Sequence, residues 1–432
     1  MRLTIYPADK GDCLLLTAAD GTRVLVDGGM RNSFKDYVAA SLARLRGAGE
    51  ELALVCVSHI DQDHISGVLQ LMDDLVAWRV HEFQKDGRNP ASEAPDAPRP
   101  PEVGAIWHNA FHEQIGQNAG PIEQMLAATA AILSQVPRKA VRAVAQQQQT
   151  LATSVKEGLQ LSRRVRAGQL GIPVNEPFGG RLAQVTDGGR PIRVGSMRLT
   201  VIGPFPEDLR NLREEWNDWL RTHRDDLRDV QRRAREDEEL LQSSELDRLL
   251  APMVAQAEEL GRREKVTTPN LASLMLHVEE QGRTALLTGD GHHADILNGL
   301  EHAGKLKKGS GLHVNLLKVQ HHGSENNLDP EFCRRITADD YVFCANGAHE
   351  NPDVRVVRAI IDSRLGGRAS RSPNPEADGK FTLWFNASSS IADSQEHRDH
   401  LRKVESLVRS KADPKMRVKY RNRAGGGVQV GI

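Results

Sequence analysis

The sequence predicts an α/β layered fold organised around a metal-binding loop, and three observations carry that expectation. Short apolar runs rich in β-branched residues recur along the chain, and segments of helical periodicity fall between them. Several of the runs end in residues that ligate metals. The clearest is Leu52-Ala53-Leu54-Val55-Cys56-Val57, continuous enough to be buried on both faces, which leads into Ser58-His59-Ile60-Asp61-Gln62-Asp63-His64. His59, Asp61, Asp63 and His64 follow the spacing His-x-Asp-x-Asp-His on the loop leaving that strand, and strand ends are where α/β folds place their sites.

Composition narrows the alternatives. A chain of 432 residues exceeds the ~250–300 at which one core stops growing, so it holds one large core with insertions or two domains. A formal net charge of −1 supplies no long-range attraction for nucleic acid, so any polyanion has to be held locally. Cys13, Cys56, Cys333 and Cys344 lack paired spacing and read as buried small hydrophobes of a reducing compartment. Neither a leader-like amino terminus nor an apolar run near ~18 residues occurs, and the expectation is a cytoplasmic protein without membrane association.

Leu3 to Tyr6, Cys13 to Leu16 and Arg23 to Val26 read as an antiparallel meander with turns at Ala8-Asp9-Lys10-Gly11-Asp12 and Asp20-Gly21. It closes on Asp27-Gly28-Gly29, where Asp27 is either support for a metal ligand or an ordinary turn residue. Phe34, Tyr37, Val38, Leu42 and Leu45 mark a helix returning to the strand that feeds the loop, and another helix is expected from Gly67. Gln84 to Pro101 carries five prolines and is expected to be a surface loop. Ala105 to His112 is strand-like, and His108 reads either as a further ligand or as a core or rim histidine.

Residues 121–170 are expected to be mostly helical, which makes 81–190 an insertion of loop plus helices. After a strand at Met197 to Ile202, Glu207 to Leu260 has no glycine and a lone proline, Pro252. That pattern predicts long helices across 207–265, whose narrow apolar stripe packs on the body, covers the site, or meets a second copy or a partner protein. Leu271 to Val278 and Arg283 to Thr288 form an expected hairpin that delivers Asp290, and Val314 to Val319 delivers His321 and His322. Tyr341 to Cys344 and Phe381 to Phe385 flank a helix near Val354 to Ile361. In the basic C-terminal segment 395–432, alternation places Lys415, Arg417, Lys419, Arg421 and Arg423 on one strand face, either phosphate-facing or simply solvated.

Taken together, three strand ends supply His59, Asp61, Asp63, His64, Asp290 and one of His321 and His322, between which the sequence does not choose. Imidazole and carboxylate ligands without thiolate suit two divalent metal ions, Zn²⁺ or Mn²⁺. His59 and Asp61 are placed to hold one, Asp63 and His64 the other, with Asp290 bridging. Such a pair lowers the pKa of a shared water toward ~7 and yields a nucleophilic hydroxide, so the chemistry expected is hydrolysis.

In this order the Asp27-Gly28-Gly29 turn, His59-x-Asp61-x-Asp63-His64, Thr288-Gly289-Asp290 and His321-His322-Gly323-Ser324 resemble the successive motifs of the metallo-β-lactamase superfamily. Asp61 in place of the usual second His, with the His-His-Gly-Ser stretch and Ala8 to Asp12, resembles more closely the soluble hydrolase domain of ComEC-type competence proteins. The resemblance covers residues 1–80, 195–206 and 266–365 and implies a single αββα sandwich over 1–432 with helical insertions. It also implies catalytic roles for Asp63 and Asp290. His349 falls where a substrate-side general acid sits, or is a loop histidine. Asn270, Ser273 and Ser324 are candidates for substrate contact, the first two alternatively as strand caps. The implied function is a metal-dependent phosphodiesterase, a nuclease or nucleotide hydrolase. The alternatives are a thioester or lactam hydrolase and a noncatalytic subunit that keeps the fold. Asp61 favours phosphate chemistry, because oxygen-rich sites suit harder cations.

Overall fold

A computed structural model describes residues 1–87, 92–109, 153–154, 156–211, 214, 272–423 and 426–432. The helices expected across 121–152 and nearly all of 207–265 lie outside the described residues, as does Asn270. Among the described residues, no helix is long and apolar enough to cross a membrane.

Two sheets stack face to face. The first contains β1 (Arg2–Ile5), β2 (Leu14–Thr17), β3 (Arg23–Val26), β4 (Leu54–Val57), β5 (Ile106–His108) and β14 (Val428–Gly431), in the order β14-β1-β2-β3-β4-β5. The second contains β6 (Ile192–Val194), β7 (Met197–Gly203), β8 (Met275–Glu280), β9 (Arg283–Leu287), β10 (Leu312–Lys318), β11 (Ile336–Phe343), β12 (Phe381–Phe385) and β13 (Met416–Tyr420). Its strands run in reverse numerical order, from β13 to β6. The meander β1-β2-β3 is antiparallel as its short turns require, whereas β3-β4-β5 and β9-β10-β11-β12-β13 are parallel and need long crossovers. The hairpin of β8 and β9 turns on Gln281 and Gly282, both at positive φ, the conformation that a two-residue loop demands.

Strand alternation builds three cores. Leu3, Leu16, Val24, Leu54 and Cys56 meet Leu199, Leu276, Leu287 and Leu316 between the sheets. Val55 and Val57, alternate residues of the same β4, face outward onto Phe34, Leu42, Val68 and Met72. On the far side, Leu317, Tyr341 and Phe343 pack against Ile296, Phe332, Val357 and Val404. Helices thus cover both outer faces. Burying one such side chain is worth about 1.5–3 kcal/mol, so β4 buried on both faces holds its register firmly.

The helices that matter for the site are α1 (Ala39–Gly47), α2 (Gln62–Asp86), α3 (His293–His302), α4 (Pro330–Arg335), α5 (Val354–Leu365) and α6 (Gln395–Ser410). One boundary differs from expectation. Helix α2 starts at Gln62 rather than near Gly67, so Asp61 occupies its N-cap and Asp63 and His64 sit in its first turn. The reason is the buried stripe Ile65, Val68, Leu69 and Met72, whose helical spacing extends back through the ligand segment. On β13, Met416, Val418 and Tyr420 pack on the core while Arg417 and Lys419 are exposed. Arg421 is engaged elsewhere, donating to the main-chain oxygens of Asn386 (2.7 Å) and Arg423 (2.8 Å).

Candidate metal centre

The C-terminal ends of β4, β9 and β10 open along one edge of the two sheets, and Asp290 stands at their meeting point. Its Oδ2 lies 3.7 Å from His59 Nε2, 3.7 Å from His321 Nε2 and 3.5 Å from His322 Nε2. Its Oδ1 lies 3.5 Å from His64 Nε2. Asp61 Oδ2 is 3.5 Å from His59 Nε2, and Asp63 Oδ2 is 3.5 Å from His322 Nε2. Two donors that share a tetrahedral cation at ~2.1 Å are separated by roughly 3.4 Å, the spacing repeated here.

The hydrogen bonds behind each imidazole fix which nitrogen faces inward. Ser58 Oγ donates to Asp27 Oδ2 (2.7 Å), which leaves it to accept from His59 Nδ1 (3.0 Å). His64 Nδ1 donates to Asp27 Oδ2 at 2.9 Å, and His322 Nδ1 to the Cys344 carbonyl at 2.9 Å. His321 Nδ1 meets Asn327 Oδ1 at 2.6 Å. With each Nδ1 committed, the Nε2 lone pairs of all four rings point at Asp290. Those of His59, His64 and His322 are buried without a hydrogen-bond partner, as is Asp290 Oδ1. Buried polar atoms normally find partners, so this convergence of orphaned acceptors fits divalent cations. His59, with Asp61 beside it, and His321 thus meet Asp290 Oδ2, as does His322 with Asp63 beside it, while His64 meets Oδ1. Both members of the His321-His322 pair therefore face the centre, because consecutive left-handed conformations (φ 46° and 54°) turn both rings inward.

Glycines bring the ligand-bearing segments into backbone contact. A Cβ on Gly11 would fall 1.7 Å from the Asp63 carbonyl oxygen, so the β1-β2 turn presses directly on the first turn of α2. Gly28 and Gly67 touch in the same manner, joined by the hydrogen bonds Gly28 N to His64 O and Gly67 N to Gly29 O, both 2.9 Å.

Other expected site residues take different places. Ser273 is 0 % exposed and its hydroxyl accepts from the Asp290 amide at 3.3 Å, so it braces the bridging residue instead of meeting substrate. Ser324 is buried too, accepting from the Asn326 amide within the turn after His322. His108 is buried at the end of β5, its main chain clasped by the side chain of Asn175 at 2.9 Å in both directions. It is not among the atoms that converge on Asp290. His349 is exposed, at φ 54°, with Lys10, Asp63, His322 and His397 in its electrostatic surroundings; desolvation first, then Lys10, depresses its pKa.

Sequence reading passes over two buried partners, Asp12 and Lys318. The ammonium of Lys318 pairs with Asp12 Oδ2, donates to the Gly289 carbonyl (2.9 Å) and lies 3.8 Å from Asp290 Oδ1. Burial opposes ionisation of Asp12, but Lys318 and then His322 override it and bring the pKa down to about 2. A lysine inside the apolar run Leu316-Leu317-Lys318-Val319 is the signal that was available. Asp12, His64, Asp290 and His322 each offer an atom within 4.8 Å of the rest, yet Asp12 stands at the Nδ1 side of His322, behind the ring. We therefore place Asp12 as a support and not as a ligand.

Residues 6–95 match the sequence model of the metallo-beta-lactamase superfamily. The two stacked sheets flanked by helices are consistent with the metallo-β-lactamase fold. Among solved structures, the chain is similar to CmlA, a diiron β-hydroxylase from Streptomyces venezuelae, with 12% identity and a TM-score of 0.38. That match covers 100% of this chain and 54% of CmlA, so the chain spans about half the length of that protein. It is also similar to Zn²⁺-bound PqqB from Methylobacterium extorquens, with 9% identity, a TM-score of 0.33 and coverage of 100% of both chains. No curated protein matches at a significant level.

Proposed function

We propose that the chain is a two-metal hydrolase of phosphodiesters, acting on nucleic acid or a nucleotide. The donor set carries the reading: three carboxylates and four imidazoles surround two positions that share Asp290, and no cysteine thiol takes part. All four cysteines are buried, and burial raises each thiol pKa. Divalent cations at these positions supply Lewis-acid activation of water and of a phosphoryl oxygen. An oxygen-rich set suits Mn²⁺ as well as Zn²⁺.

Around them the chain's own residues have separate tasks. Asp290 holds the two positions in register, and Asp27 and Ser58 fix the tautomers of His64 and His59. His349 approaches from outside, on a loop tied down by Asn346 Nδ2 donating to Asp9 Oδ1 (2.6 Å). On this reading it protonates the leaving oxygen, and because its pKa is depressed the acid form is the minor one at neutral pH. Lys10 lies in the electrostatic surroundings of the same ring and its charge favours an anionic substrate.

Metal analysis of the purified protein, followed by assays on single- and double-stranded DNA, RNA, cyclic nucleotides and bis-p-nitrophenyl phosphate, tests the reading. The expected result is diester cleavage that chelation abolishes and Mn²⁺ or Zn²⁺ restores. Turnover of a thioester or lactam by the metallated protein with no diester cleaved refutes it.

A further inference from the structure

We infer that Lys318 and Asp12 form a built-in ion pair that positions His322, and through it the metal position made with Asp63 and His64. This inference rests on the metal-centre reading above and is independent of the substrate.

Lys318 ends β10 at the point where the core between the sheets gives way to the site, and it is 1 % exposed. An ammonium has three N–H donors. One goes to Asp12 Oδ2 and one to the Gly289 carbonyl, while Asp290 Oδ1 stands 3.8 Å away. The lysine therefore ties the β1-β2 turn, the Thr288-Gly289-Asp290 turn and its own strand together at one buried charge.

Asp12 transmits this to the histidine. Its Oδ1 is 3.3 Å from His322 Nδ1, the nitrogen that also donates to the Cys344 carbonyl at 2.9 Å. The Nδ1–H goes to the carbonyl, the carboxylate oxygen stands beside it at ion-pair distance without a hydrogen bond, and Nε2 is aimed at Asp63 and Asp290, 3.5 Å from each. Groups that hold a ligating imidazole in this way typically affect metal affinity 10–100-fold. Asp12 is itself kept in place by the lysine. Without Lys318, the buried carboxylate loses the donor that holds it and is driven to move.

The test is a chelator-competition titration of Mn²⁺ and Zn²⁺ into metal-free wild type, Lys318→Met and the double variant Asp12→Asn/Lys318→Met. The double variant removes the lone carboxylate together with its cation, so it remains informative if Lys318→Met fails to fold. The wild type is expected to bind two equivalents. Both variants are expected to keep the affinity of one equivalent and to weaken the other at least ten-fold. In Lys318→Met charge alone acts in the opposite direction, because deleting a cation beside two metal positions tightens both, whereas in the double variant the two charges removed cancel. Tightened binding, unchanged binding, or equal loosening of both equivalents overturns the inference. A wild type that never takes two equivalents overturns the metal-centre reading and this inference with it.

Discussion

Gly67→Ala is the substitution whose effect the structure defines most closely. The added Cβ would lie 2.0 Å from the Gly28 carbonyl oxygen and 2.5 Å from its carbon. To reach even a tight 3.0 Å contact the two backbones must part by 3.0 − 2.0, about 1 Å, since both groups are main chain and neither can rotate away. That displacement stretches the two 2.9 Å bonds that join the segments, Gly28 N to His64 O and Gly67 N to Gly29 O. Overpacking costs about 1–3 kcal/mol and the two hydrogen bonds about 1 kcal/mol each. Alanine returns about 1 kcal/mol of helix propensity. The net expectation is a loss of about 2–4 kcal/mol, together with weaker metal binding because Asp63 and His64 ride on the displaced turn. Urea denaturation of the metal-free protein measures the first effect and metal titration the second. Gly47→Ala, at a helical position with nothing within 4 Å, is the control and should be neutral or slightly stabilising. A Gly67→Ala protein within 0.5 kcal/mol of wild type that keeps full metal affinity would refute the argument.

Three further outcomes follow from the structure. Asp290→Asn should preserve the fold, as judged by circular dichroism, yet reduce hydrolysis by on the order of 10²-fold or more, because it weakens the one carboxylate shared by both positions. Burial lowers the pKa of His277 from 6.5 to about 4. The folded state therefore favours the neutral ring, and stability complete above pH 6.5 is lost as pH falls through 4. That lowering corresponds to about 3 kcal/mol. His277→Leu should flatten the decline of melting temperature across that window relative to wild type, and identical slopes would argue against it. Arg417→Ala/Lys419→Ala removes exposed charge from β13, leaving Arg421 to its carbonyl contacts. If β13 holds a nucleic acid, binding weakens and its salt dependence flattens while hydrolysis of a small diester is unchanged. Equal losses on both substrates would point instead to a damaged fold.

Much of this architecture is legible in the sequence because its signals are local. The meander, the β8-β9 hairpin and the strands feeding His59, Asp290 and His321 announce themselves by alternation and turn residues within a few positions. The start of α2 is less legible, since the ligand segment resembles a loop until the stripe from Ile65 onward is allowed to run back through it. Lys318 and Asp12 are harder still. Lys318 stands out in its apolar run and Asp12 does not, yet each acquires meaning only where β10 and the β1-β2 turn meet. Ser273 illustrates the converse: a residue next to a motif looks substrate-facing, but in the segment leading into β8 its hydroxyl accepts from the Asp290 amide.

The pairing of β14 with β1 bears on biosynthesis. Arg2 pairs with Gly431 and Ile5 with Val428, so the second strand alongside β1 arrives only after every strand of the second sheet has left the ribosome. Until then β1 presents an unpaired edge beside the nascent meander, a template for pairing with other chains. Contacts of such extreme sequence separation are also slow to form, since loop closure precedes any reward. The growing polypeptide thus passes through a long interval in which its amino-terminal sheet is open to aggregation, and holdase chaperones that shield strand edges are expected to raise its soluble yield.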